Sequence, residues 1–122
     1  MYEISAAGIS TEIIIMQNIE IDLPPDVNIA RAELAIEASL AAKGLETSLR
    51  GTLKKHPGCI HWHAKSPGQS GTLEITLWPQ CCRAWFTIQD GRTADWIAVK
   101  MPELQRALQS RLSAFRPASR PW

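Results

Sequence analysis

Cysteine is scarce in this chain, and its placement does not suit a secreted framework. Among 122 residues there are three, Cys59 and the adjacent pair Cys81 and Cys82. An odd count that includes two neighbours does not read as a disulfide scaffold. No Cys-x-x-Cys occurs, so the spacing of a structural zinc site is missing as well. Long apolar runs are missing too, since none approaches the about 20 residues that a membrane-spanning helix needs. The start, "MYEISAAGIS", has no basic stretch leading into an apolar one, so no signal peptide is expected. Nor is there an excess of charge of either sign. Thirteen Lys and Arg face twelve Asp and Glu, a formal charge of +1. That balance excludes a general pull towards nucleic acid or an anionic membrane. The expectation is a soluble, cytoplasmic protein with no membrane contact and no cofactor.

What is present is a globular composition. Hydrophobic residues make up 45% and charged residues 20%, enough apolar content for one packed core without staples. Tyrosine occurs once and phenylalanine twice, but tryptophan five times. Tryptophan is concentrated in cores and at contact surfaces. No repeat or linker divides the chain. Residues 1–15 read as an N-terminal extension, 16–115 as a single α+β domain and 116–122 as a flexible tail.

The elements follow from periodicity and punctuation. In "TEIIIMQNIEIDLPP", Ile13, Ile15, Ile19, Ile21 and Leu23 share one parity. That predicts a strand, or a hairpin turning at Gln17-Asn18, ended by Pro24-Pro25. Asp26 or Asn28 caps a helix through "IARAELAIEASLAAK", with Ile29, Leu34 and Ala41 in its apolar stripe and Lys43-Gly44 as its stop. "LETSLRGTLKKHPG" reads as a second, shorter helical piece capped by Thr47 or Ser48. Three strands follow, "CIHWHAK", "TLEITLW" and "RAWFTIQ", separated by "SPGQSG" and "PQCC". A final helix in "ADWIAVKMPELQRALQSRLSAF" buries Trp96, Ile97, Leu104, Leu108 and Leu112, with Pro102 marking a kink or the true start. The fold class is α+β in two layers: an N-terminal strand or hairpin, a helix, a three-stranded antiparallel meander and a C-terminal helix.

The two turns fix a register. One face carries Ile60, Trp62 and Ala64; Leu73, Ile75 and Leu77; and Ala84, Phe86 and Ile88. All are apolar, so this is the core face. The other face carries three rows: His63, Glu74 and Thr87; His61, Thr76 and Trp85; Cys59, Trp78 and Arg83. Neighbours in a row touch. His63 is expected to meet Glu74, and Arg83 to stack on Trp78. The two histidines are expected on the wet side of the strand.

Several chemistries compete for that face. Cys59, His61, His63 and Glu74 are the candidate metal ligands, because imidazole and thiolate suit zinc. An ordinary cross-strand His63–Glu74 pair explains the same residues more simply, so no metal is expected. A nucleophilic Cys59 with His61, or Cys82 with a nearby His, lacks an orienting third group. A nucleic-acid platform would use Trp78, Trp85, His61 and His63, with Arg83, Lys65 and Arg92 around it. The helix–three strands–helix order resembles double-stranded-RNA-binding domains in topology. The last helix, however, opens on Asp95 and lacks that family's basic start. "LRGTLKKH", with Arg50, Lys54, Lys55 and His56, reads as a solvated helix face.

The leading expectation is a small non-enzymatic binding or accessory module. Its contact residues would be Trp78, Trp85, His61, His63, Glu74 and Arg83, or the N-terminal strand, with a protein partner or a second copy as occupant. The alternative is a nucleic-acid or small-ligand binder using the same face. A metal- or thiol-dependent enzyme comes third.

Overall fold

The computed structural model describes residues 16–114. The expectations for residues 1–15, for Phe115 and for the tail at 116–122 lie outside the described residues. Seven main elements run in the order β1 (Met16–Ile21), α1 (Ile29–Ala42), β2 (Glu46–Leu53), β3 (His56–Lys65), β4 (Leu73–Trp78), β5 (Arg83–Gln89) and α2 (Asp95–Ala114). Short 3-10 turns occupy Pro79–Cys81 and Asp90–Arg92. The fold is α+β. All five strands join one antiparallel sheet in the order β1-β5-β4-β3-β2.

α1 begins at Asn28, whose Oδ1 accepts from the Arg31 amide at 3.2 Å. It ends in a left-handed cap at Gly44, φ +74°. There the amides of Gly44 and Leu45 donate to the carbonyls of Ala41 and Leu40, a Schellman arrangement. Its buried stripe is Ala32, Ala35, Ile36, Ser39 and Leu40. Leu34 and Ala41 were expected there and are exposed instead. The true stripe is built largely from small residues, Ala32, Ala35 and Ser39. α2 buries Trp96, Ile97, Met101, Leu104, Leu108 and Leu112. Pro102 lies inside the helix with its ring exposed, neither its start nor a break in it.

Both helices bury their apolar sides in one cluster with Trp62, Ala64, Leu73, Ile75, Leu77, Ala84 and Phe86, with Ile60 and Ile88 at its margin. The core face is the one the alternation predicted. One open alternative is decided and one expectation is corrected. Residues 16–21 form a single strand on β5, not a hairpin. Residues 46–53 form β2, not a helix, and lengthen the meander from three strands to four. Leu45, Leu49 and Leu53 sit at helical spacing. As an edge strand largely exposed on both faces, with register shifts at Thr47/Leu49 and Gly51/Leu53, β2 lacks strand alternation. The added strands also end the topological resemblance to double-stranded-RNA-binding domains.

The β4 entry turn has one position that only glycine fits. Gly71 has φ +98°, and a Cβ there would lie 2.6 Å from the Cβ of Ala94. Around it the Thr72 amide donates to the Arg92 carbonyl and the Trp96 indole N–H donates to the Ser70 carbonyl. Gly44 has similar strain but open space. Gly71→Ala is expected to cost about 2 kcal/mol or more, and Gly44→Ala about 1 kcal/mol. Thermal unfolding of the two variants side by side checks the order.

Candidate functional site

The face of the sheet turned away from the helices is not a flat, wet surface. His61, Glu74, Thr76, Trp85 and Thr87 are all buried. The reason is the β2–β3 hairpin, which brings His56 over the sheet. Its ring lies 4.5 Å from Trp78 and 5.1 Å, edge-on, from Trp85. The Trp78 indole N–H donates to the Pro57 carbonyl at 3.0 Å. The expected open pair of tryptophans is thus covered by a histidine from the same chain, and the face becomes a cleft of about 300 Å³. Lys55, His56, Arg83 and Trp85 line it together with Glu74, Thr76, His61 and Thr87; Asn18 and Gln89 add amides.

The predicted ladder is present where β3, β4 and β5 pair. His63 faces Glu74 and Glu74 faces Thr87; His61 faces Thr76 and Thr76 faces Trp85; Trp78 faces Arg83. The side chains then choose diagonal partners. His61, not His63, makes the ion-pair contact to Glu74, Nε2 to Oε1 at 3.3 Å. His61 Nδ1 lies 2.9 Å from the Thr76 hydroxyl. The other oxygen of Glu74 accepts from Gln89 at 2.7 Å and Arg92 at 3.3 Å. The His63 ring stands edge-on to His61 at 5.0 Å. Arg83 leaves Trp78 and lies over Trp85, 4.7 Å from the ring centroid. Glu20 on β1 holds it there through two hydrogen bonds. Their short contact pulls the Glu20 carboxyl below its ordinary value, chiefly through the hydrogen bonds from Arg83.

Burial acts on the His61 imidazole. It lowers the pKa of His61 below the ordinary imidazole value. Glu74 opposes that shift by charge and hydrogen bonding, while His63 and His56 reinforce it. The neutral ring can donate to Glu74 from Nε2 while Nδ1 accepts from the Thr76 hydroxyl. The reverse tautomer would set the Nε2 lone pair against the Glu74 carboxylate, which only accepts, whereas the Thr76 hydroxyl serves in either role.

Of the candidate metal ligands, His61, His63 and Glu74 come together, with one ligand atom from each all within 4.8 Å of one another. Cys59 does not join them. It is buried away from the cleft lining, and its sulfur accepts from the Leu53 amide at 3.3 Å. Cys81 and Cys82 are exposed in the β4–β5 turn, Cys82 in the left-handed region at φ 50°. No helix of the described residues is long and apolar enough to cross a membrane.

His56 is the residue that sequence reasoning misplaced. Local pattern puts it on a solvated helix face, and only the pairing of β2 with β3 carries it to the cleft. Comparison with protein-family models, with curated proteins and with solved structures gives no match.

Proposed function

We propose that the chain is a ligand-binding module, and that its cleft takes a small polar ligand carrying an acidic group. The observation that supports this is the floor. Glu74, Thr76, Thr87 and His61 are sunk into a sheet face that the fold could have filled with apolar side chains at lower cost. They are instead held in a hydrogen-bonded set beneath an open cleft. Polar groups gathered in a concave site are what orients a small ligand. The acidic group follows from the rim. Lys55 and Arg83 both line the cleft, and Lys55 has no ion pair among the described residues. A protein or nucleic-acid contact through stacked tryptophans has less support, because His56 already occupies that surface.

The test is a titration of the protein with a panel of small carboxylates and phosphate monoesters, followed by amide and indole NMR shifts. At least one member is expected to move the signals of Lys55, His56, Thr87 and the Trp85 indole, with a Kd of about 1 mM or tighter. Lys55→Glu is expected to weaken it about tenfold, as does added salt. A panel that moves none of these signals at about 10 mM, or that ignores Lys55→Glu, would remove the reading.

A further inference from the structure

From the arrangement of His61, His63 and Glu74 we infer that this chain binds one divalent transition-metal ion of the zinc class on the face of its sheet turned away from the helices. The inference is independent of the acidic-ligand reading, although His61 and Glu74 also line the cleft.

Geometry carries it. A tetrahedral ion with bonds of about 2.0–2.1 Å sets its ligand atoms roughly 3.3 Å apart. His61 Nε2 and Glu74 Oε1 are already at 3.3 Å. The third ligand atom, from His63, completes a set that lies within 4.8 Å throughout. That atom has to close by at most about 1.5 Å, from 4.8 to 3.3 Å, to reach tetrahedral spacing. The His63 ring is half-buried and no hydrogen bond holds it among the described residues; its one ring contact is with His61.

The surroundings are those of a ligand set and exceed what a simple pair needs. Metal-bound histidines are oriented through their second ring nitrogen, and metal-bound carboxylates through their second oxygen. Here the Thr76 hydroxyl fixes Nδ1 of His61 at 2.9 Å. Gln89 and Arg92 hold Oε2 of Glu74 and leave Oε1 turned to the histidine. An ordinary cross-strand His–Glu pair uses one histidine, and a second one beside it repels the charged form. Two imidazoles and one carboxylate are a ligand set that suits a divalent cation of this class. Across the ladder from His61 stands Gly51, where a side chain would meet only open space. Three protein ligands with an uncovered side match the open type of zinc site, in which a fourth position is left to water or a bound molecule.

The experiment uses the full chain stripped with chelator, in a Cys81→Ser, Cys82→Ser background that removes the exposed thiols. Zn²⁺ is titrated against a chromophoric chelator, and Co²⁺ is added separately for its visible absorption. One Zn²⁺ per chain is expected, with the affinity of the background variant equal to that of the unmodified chain. His63→Ala is expected to weaken binding at least tenfold, and Glu74→Gln by a similar factor. His63 is the deciding position, because its ring lies partly in solvent and its loss leaves the fold intact; a thermal melt verifies that. No stoichiometric uptake of Zn²⁺, loss of uptake on removing the thiols, or unchanged affinity in a folded His63→Ala variant would each overturn the site. The carboxylate and phosphate titration is run in chelator, where no metal takes part, so the two readings fail separately.

Discussion

Trp62→Ala is expected to remove about 3–5 kcal/mol of folding stability, the usual range for truncating a buried tryptophan. A domain of this size has a total of about 5–15 kcal/mol, so the variant would be at the edge of unfolding at room temperature. Trp62 is fully buried at the centre of β3 and ties three elements together. Its ring fills the space under α1, and its indole N–H donates to Glu37 on that helix at 3.1 Å. Beside it on β2, Arg50 pairs with Trp62 across the ladder and forms ion pairs with Glu33 and Glu37. Its guanidinium carbon lies 5.8 Å from the Trp62 ring centroid. Alanine would leave a cavity that neither α1 nor the sheet can close without moving the other. Trp62→Phe separates packing from hydrogen bonding. It keeps most of the ring volume and frees a carboxylate that can reach water, so about 1–2 kcal/mol is expected. Urea unfolding followed by far-UV circular dichroism measures both, because tryptophan fluorescence changes with the substitution itself. A loss under about 1 kcal/mol for Trp62→Ala would mean that this ring is not the hub described.

The part of the fold legible in the sequence is the part governed by strict alternation and clear turns. β3, β4 and β5 alternate without a break in their central residues, and Pro67-Gly68 and Pro79 punctuate them. Both the core face and the cross-strand rows follow from that alone. β2 was not legible because an edge strand with two register shifts has no period to detect, and three leucines at four-residue spacing imitate a helix. The site inherits that error. His56 reaches Trp78 only if β2 and β3 form a hairpin that curls over the sheet, so reading β2 as helix removes one wall of the cleft. Arg83 shows a different limit. Its partner Glu20 lies 63 positions away in sequence, and only the antiparallel docking of β1 on β5 joins them. Local pattern placed Arg83 beside Trp78; the long-range ion pair turned it onto Trp85. Burial of the polar face was illegible for the same reason, since alternation assigns a side chain to a face but does not say how the sheet bends.

Glu74 is expected to be the most costly polar side chain of the cleft to remove. Glu74→Ala in chelator should lose about 3 kcal/mol, and Arg92→Ala less than about 1 kcal/mol, although the two residues form one ion pair. The asymmetry comes from burial. The Glu74 side chain is 7% exposed and Arg92 47%. Arg92 freed of its partner turns into solvent, whereas the groups left behind by Glu74 cannot. Gln89 would lose its acceptor at 2.7 Å and His61 its Nε2 partner at 3.3 Å, both in the floor. Water entering from the cleft repairs part of this, which puts the expectation at the lower end of the range for breaking a buried pair. Glu74→Gln keeps the shape and one acceptor, so it should fall between the two. If the Glu74 and His61 side chains act as one unit, their losses will not add. The double variant Glu74→Ala, His61→Ala is expected to cost less than the sum of the single variants by about 1–2 kcal/mol. Additive losses in urea unfolding would show that the two side chains stand in the floor as neighbours without being partners. They would also weaken the case that this corner of the sheet was built around anything the two residues hold in common.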